Sequence, residues 1–151
     1  TVAGTLATKG YPIWMAWTVP ILVGMAVNAV TGILVAYARI PAIVVTLGVL
    51  SILKGGLISA TGGVWISNLP PDFLIAQKRL FDVPVPVYFM VALTAIAAAF
   101  MRYGAAGRAI YAIGGNAEAA RVTGIPIERG TVMIFVAHGF FAGIAALLFA
   151  T

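Results

Sequence analysis

The chain has 151 residues, of which 62% are hydrophobic and only 9% are charged. This composition excludes an ordinary soluble domain, in which about 25% of residues are charged. Nine basic and four acidic residues give a net charge of +5, and the sequence has no cysteine for disulfides or thiolate metal sites. Three stretches, 10–38, 83–101 and 130–151, contain no Asp, Glu, Lys or Arg. A bilayer core needs about 20 apolar residues per helix, so these stretches predict membrane spans.

The apolar stretches and the proline and glycine positions predict four spans, at about 13–38, 41–60, 85–101 and 132–151. We expect an external loop at about 61–84 and a cytoplasmic coupling loop at about 102–131. With the intramembrane Lys54 left out, five basic residues fall on the side of the 102–131 loop and three on the other, which the positive-inside rule assigns to the cytoplasm and the exterior. Residue 1 is not Met and the last apolar run continues to residue 151, so we expect a piece of a longer chain.

Small residues recur at helical spacing in the first and last predicted spans. Gly24, Asn28 and Gly32 repeat every four residues, and Gly139 and Gly143 form a GxxxG pair. Small residues at this spacing let two membrane helices approach closely, so we interpret the four glycines as helix-packing residues. Asn28 lies on the same face and is able to hydrogen-bond across such a contact. The three tryptophans are interpreted as anchors at the membrane interfaces: Trp14, Trp17 and Trp65.

Four polar residues inside the predicted spans are candidates for lining a translocation path: Asn28, Thr46, Ser51 and Lys54. Each also has a structural interpretation. Asn28 fits helix packing, the two hydroxyls fit bonding to their own helix backbone, and Lys54 lies near enough to the far interface to snorkel. His138 has no acidic partner in a neighbouring predicted span, so a buried hydrogen-bonding role is favoured over a proton relay.

The cytoplasmic loop contains a short helix that its capping residues predict. Asn116 is a favoured N-cap, Glu118 puts negative charge in the first turn, Arg121 follows three residues later, and Gly124 ends the helix. Gly114 and Gly115 before the cap are interpreted as a turn. A helix of about two turns is not stable alone in water, so the membrane domain or a partner must hold it. Its narrow alanine surface suits a groove in another protein.

The string GRAIYAIGGNAEAARVTGI, residues 107–125, resembles the coupling loop of the permease subunits of bacterial ABC importers of the ribose, xylose and rhamnose type. That motif runs approximately GR-x-x-Y-A-x-G-G-N-x-x-A-A-R-x-x-G-I, and this sequence matches every fixed position. PAIVVTLGVLSILKGG at 41–56 and TGGVWISNLPPDF at 61–73 are similar to two further segments of the same family, in the same order. The stretch 102–107 departs from the family, which has a Thr-x-Phe-Gly-Arg approach to the motif.

The resemblance implies an all-α, polytopic membrane subunit of the bacterial inner membrane. It implies as partners a second permease subunit, identical or different, two ATP-binding subunits, a periplasmic sugar-binding protein and membrane lipid. The sequence has no GxxxxGK[ST] motif, so we expect the partner ATPase to use ATP and Mg²⁺, and expect this chain to bind no cofactor or metal and to be no enzyme. No run of basic residues exceeds two, which argues against nucleic acid as a partner. The residues implied to couple to the ATPase are Gly107, Arg108, Tyr111, Gly114, Gly115, Asn116, Glu118, Ala119, Ala120, Arg121 and Gly124.

The expected cargo is a monosaccharide of the pentose or hexose type, and two alternatives remain. One is the related branch that imports branched-chain amino acids, whose coupling string more often has a charged, Gln or Asp character where Gly114, Gly115 and Asn116 stand here. The other is a fragment of an ion-coupled secondary transporter. Such carriers usually have an acidic or histidine relay within their spans, and this sequence offers only His138.

Overall fold

The computed structural model describes residues 2–8, 11–64, 79–80 and 82–150. In chain order, the described elements are α1 (Val2–Thr8), α2 (Ile13–Tyr37), α3 (Ala42–Thr61), β1 (Arg79–Leu80), β2 (Val83–Pro84), α4 (Val85–Tyr103), α5 (Ala105–Gly115), α6 (Ala117–Val122) and α7 (Ile127–Ala150). Four of these helices, α2, α3, α4 and α7, are long and apolar enough to cross a membrane. The predicted all-α, polytopic membrane fold is therefore confirmed.

Helices α2 and α7 form the most extensive contact between the described elements. A Cβ built on Gly24 would lie 2.8 Å from the carbonyl oxygen of Gly139, and one built on Gly143 would lie 2.8 Å from the Cα of Ile21. Near the other end, a Cβ on Gly32 would lie 2.9 Å from the Cβ of Phe135. The residue numbers of the contacts decrease along α7 as they increase along α2, so the two helices run antiparallel. We call this contact the glycine seam; it contains all four predicted helix-packing glycines.

Asn28 lies in the glycine seam but bonds within its own helix. Its Nδ2 donates to the carbonyl oxygen of Gly24 at 3.0 Å, which is the oxygen that Gly139 approaches from α7. A Cβ on Gly139 would also lie 2.9 Å from the Cβ of Asn28. The Asn28 amide is therefore bonded within α2 rather than across the contact to α7.

The helix bounds differ from the predicted spans most clearly at α7. This helix begins at Ile127, five residues before the expected start at 132. Glu128 lies in its first turn, where a negative charge is favourable, so the charged residues belong to the helix although they mark the edge of the apolar span. Similarly, α4 continues through Arg102 to Tyr103. Helix α3 extends to Thr61 and ends at Gly62, which has a φ of +61°.

The short helix α1 packs against the outer ends of α2 and α7. Ala3, Ala7, Ala16 and Leu147 form the buried cluster there, and Trp17 packs against it. The Nε1 of Trp17 is buried without a hydrogen-bond partner among the described residues. The anchor role expected for Trp17 is therefore wrong, since an anchoring indole directs its N–H toward water or headgroups, whereas Trp14 is 62% exposed.

The connections place the predicted loops at opposite ends of the spans. The end of α2 and the start of α7 border one cleft, so Arg39 and the coupling loop lie at the same end, as the count of basic residues requires. At the other end, β1 pairs antiparallel with β2, and the Tyr88 hydroxyl donates to the carbonyl oxygen of Leu80 at 2.9 Å. Most of the predicted external loop, including Trp65, falls at residues 65–78 and 81, outside the described residues.

We expect Gly139→Ala to destabilise the protein. The added Cβ would lie 2.5 Å from the Gly24 carbonyl oxygen and 2.9 Å from the Cα of Met25, backbone atoms that move only if the helices separate. Overpacking of this kind costs about 1–3 kcal/mol. Gly48→Ala on α3 is the matched control, because a Cβ there meets no atom within 4 Å and alanine is the better helix former. Thermal unfolding in detergent measures both variants, and an unchanged Tm for Gly139→Ala would contradict the close contact.

Candidate coupling site and membrane cavity

Helix α5 occupies the first part of the coupling loop and was not predicted. It follows α4 after a bend at Gly104, which is extended with φ −73° and ψ 141°. Gly107 is buried against Met101, since a Cβ there would overlap the Met101 carbonyl oxygen and lie 2.6 Å from its Cα. The motif glycine thus lets α5 fold back onto the end of α4. The three-residue spacing of Ile110 and Ile113 was the available signal for this helix.

Two of the implied coupling residues on α5 have distinct environments. Arg108 donates from Nη1 to the carbonyl oxygen of Tyr103 at 3.2 Å, so its side chain returns to the end of α4. Arg102 stacks on the Tyr103 ring with its Cζ 5.5 Å from the ring centroid. Tyr111 is 66% exposed. Arg108 therefore contributes to the α4–α5 bend, while Tyr111 presents an aromatic surface outward.

The structure contains the short helix that the capping pattern predicts. Asn116 is extended, with φ −157°, and its Oδ1 accepts from the Ala119 N–H at 3.0 Å. Helix α6 then covers six residues, and Gly124 follows it with a φ of +82°, a conformation that favours glycine. Gly114 and Gly115 are the last residues of α5 rather than a separate turn. The helical structure is interrupted only at Asn116, which is the C-cap of α5 and the N-cap of α6.

Helix α6 has one buried position and an otherwise open surface. Ala120 is only 3% exposed, whereas Val122 is 84% exposed and Glu118 and Ala119 are also exposed. A Cβ built on Gly115 would meet no atom within 4 Å. Ala120 therefore fixes the helix on the protein, and the other side chains face outward. Val122 is a candidate contact residue that sequence reasoning missed, because a valine after an alanine-rich turn carries no sign of exposure.

Two contacts join the coupling segment to the first turn of α7. Arg121 on α6 forms an ion pair with Glu128 at 3.1 Å, with the side chains 53% and 37% exposed. Exposed pairs of this kind contribute about 0.2–1 kcal/mol. A Cβ on Gly130 would lie 2.5 Å from the Cδ1 of Ile113, so α5 also rests on α7. Sequence reasoning missed these partners because the pairings are tertiary and follow no helical spacing.

The structure brings two of the four path candidates to one cavity. Asn28 and Lys54 both line a mostly apolar cavity of about 380 Å³ bordered by α1, α2, α3 and α7. Thr46 and Ser51 are not among its lining residues, and their hydroxyls donate to the carbonyl oxygens of Ile43 at 3.1 Å and Leu47 at 2.9 Å. His138 is exposed on α7, so the buried role expected for it is wrong. The buried residues of α7 are Gly139, Gly143 and Leu147, and His138 lies outside this face.

We expect Asn116→Ala to loosen the first turn of α6. The substitution removes the side-chain acceptor of the Ala119 N–H, and loss of such a cap costs about 1 kcal/mol. Amide hydrogen exchange at Ala119 should therefore be faster by about fivefold. Asn116→Ser is the matched control, since serine caps nearly as well and should retain the protection. Equal protection in the alanine variant and the wild type would show that Asn116 is not the cap in solution.

Comparison with known proteins finds similarity to permease proteins of transport systems. The profile of one family, described as "Branched-chain amino acid transport system / permease component", matches residues 1–151. The chain is 34% identical over 149 residues to the Autoinducer 2 import system permease protein LsrC of Escherichia coli O9:H4 (strain HS), which covers 98% of this chain and 44% of that protein. It is 35% identical over 150 residues to the protein of the same name from Yersinia enterocolitica serotype O:8, covering 98% and 41%. No solved structure matches the chain.

The chain thus spans less than half the length of these relatives, which are named as permease proteins. The resemblance to ABC importer permeases that the coupling-loop motif indicated is confirmed. With its four long apolar helices, the chain is a multi-pass protein of the bacterial inner membrane, and it belongs to the family of branched-chain amino acid transport system permease components.

Proposed function

We propose that the chain forms part of the translocation subunit of an ATP-driven ABC importer, with α6 as the element that docks in a groove of a separate ATPase. The observation that carries this proposal is the form of α6. It is short and capped by Asn116, and its outer surface presents small side chains and Val122. It lies in the chain between two candidate membrane spans, joined to α4 through α5 and to α7 by a short turn. A partner protein that binds a helix of this kind is able to move the attached spans through a small interface.

The contacts around α6 provide a route by which a displacement of α6 would reach the membrane spans. Ala120 is buried, Arg121 pairs with Glu128 on α7, and Ile113 rests on Gly130. Displacement of α6 by closure of the ATPase would therefore pull on the start of α7. The glycine seam would transmit that displacement to α2, because its backbone contacts leave no room for the two helices to slide. ATP hydrolysis by the partner would reset the arrangement, since this sequence has no phosphate-binding loop.

The proposed cargo is a monosaccharide of the pentose or hexose type. Asn28 and Lys54 provide polar groups in an otherwise apolar cavity, which suits a small solute that carries hydroxyl groups. The curated relatives are named for autoinducer 2 import and the family for branched-chain amino acids, so both belong among the solutes tested. The proposed assembly has a second permease subunit, two ATP-binding subunits and a periplasmic binding protein, and this chain itself holds no cofactor.

We expect the double substitution Gly115→Trp and Glu118→Lys to abolish nucleotide-dependent uptake while leaving membrane insertion intact. Both positions are on the open side of α5 and α6, so the bulky ring and the reversed charge obstruct a partner rather than the fold. Gly115→Ala with Glu118→Asp is the matched control and should retain uptake. The measurement is solute accumulation by the full-length protein reconstituted with its ATPase. Normal accumulation in the Trp/Lys variant would remove α6 from the docking role.

Energisation and cargo are tested in the same proteoliposomes. Uptake should require hydrolysable ATP and should persist when the proton gradient is collapsed. A pentose, a hexose, autoinducer 2 and leucine are offered separately with the cognate binding protein. Accumulation of leucine alone would favour the amino-acid branch. Uptake that continues without nucleotide and stops when the gradient collapses would replace the ABC mechanism with an ion-coupled one.

A further inference from the structure

A second cavity lies where α2 ends and α7 begins. Its volume is about 290 Å³, and its lining residues come from the last turn of α2, the bend after it, the residue before α7 and the first turn of α7: Ala36, Tyr37, Arg39, Pro126, Glu128 and Arg129. We call this cavity the arginine cleft. Both helices are long and apolar enough to cross a membrane, and the arginine cleft lies at the ends of these two helices, on the side that carries the coupling loop.

The charges at the arginine cleft do not balance within the described part of the chain. Its one carboxylate, Glu128, is paired with Arg121 at 3.1 Å. Neither Arg39 nor Arg129 has an ion pair or a side-chain hydrogen bond with any described residue, and both are exposed. Two arginines without a charge partner in the described part of the chain therefore line one small cavity. Guanidinium groups present several N–H donors in a planar fork that matches the oxygens of a phosphate.

The backbone holds Arg39 beside the start of α7. Arg39 has a φ of +54°, in the left-handed region that few residues with long side chains adopt. This conformation turns the chain between the end of α2 and Pro41, which precedes α3. The turn leaves Arg39 at the rim of the arginine cleft rather than extended along α3.

We propose that the arginine cleft binds the phosphate group of an anionic phospholipid from the cytoplasmic leaflet. The shared chemistry is a phosphate held by two arginines. Its position favours a lipid as the source, because the cleft lies at one end of two apolar helices that are long enough to cross a membrane. Its lining includes the apolar residues Ala36 and Pro126, which suit the first methylene groups of lipid acyl chains. Tyr37 is 58% exposed at the same level, as interfacial aromatic residues are. The anionic leaflet surface adds attraction for both arginines. The choice of the cytoplasmic leaflet rests on the orientation expected from the count of basic residues. The phosphate site does not require ATP-driven transport, although Glu128 at the cleft pairs with the proposed coupling residue Arg121.

The test measures phosphatidylglycerol binding to the full-length protein in detergent by native mass spectrometry, with phosphatidylcholine as the neutral lipid. Each of Arg39→Gln and Arg129→Gln should weaken phosphatidylglycerol binding by about fivefold. Arg102→Gln is the matched control, because Arg102 is an exposed arginine at the same end of the spans that does not line the cleft. It should bind phosphatidylglycerol as the wild type does. Arg39→Lys and Arg129→Lys should bind more strongly than the glutamine variants, because they keep the charge, and more weakly than the wild type, because an ammonium group lacks the planar fork.

Several outcomes would overturn the proposal. If Arg102→Gln weakens binding as much as the cleft variants, the attraction is diffuse and there is no site. If Arg39→Gln and Arg129→Gln bind phosphatidylglycerol normally, the cleft does not hold the phosphate. If millimolar inorganic phosphate binds alone and displaces phosphatidylglycerol, the ligand is free phosphate rather than lipid. Thermal unfolding in phosphatidylcholine distinguishes lost binding from misfolding, because a folded cleft variant keeps the wild-type Tm there.

Discussion

The backbone contact between α2 and α7 is the constraint on which the rest of the described structure depends. In a membrane, apolar side chains gain little by turning away from lipid, so helices associate through close packing instead. Gly24, Gly139 and Gly143 bring the two backbones within contact distance, and at that contact the amide of Asn28 donates to the Gly24 carbonyl oxygen of its own helix. The other spans have no comparable attachment: α4 has no buried residue and α3 has only Val45. The glycine seam therefore sets the position of α7, and α7 in turn positions the two helices that contact its first turn, α5 and α6.

The coupling segment is built on that first turn. Its helices are held by small contacts: a buried alanine, an exposed ion pair, and an isoleucine resting on a glycine. None of these is strong alone, and a six-residue helix is not stable without them. Such a segment has a defined position but is only weakly attached to the spans. That combination suits an element whose partner must bind it and then displace it together with a span.

The sequence was informative where the physical signal is local. Glycine spacing indicated the faces of α2 and α7, and Asn116 and Gly124 marked the ends of α6, because packing of small residues and helix capping depend on residues a few positions apart. The start of α7 was misplaced, since Glu128 and Arg129 end the apolar stretch without ending the helix. The pairing of Arg121 with Glu128 and the outward direction of Val122 depend on how separate helices meet, which no local pattern encodes. The coupling and path-lining roles of the predicted residues remain predictions.

The antiparallel pairing of α2 with α7 also has a consequence for biosynthesis. The two partners of the glycine seam are separated by α3, the hairpin of β1 and β2, α4 and the whole coupling segment. During synthesis α2 is made before α7, and its glycine face has no α7 to pack against until about a hundred further residues have been made. The most extensive contact between the described elements thus forms only after the segments that separate its two helices have been made.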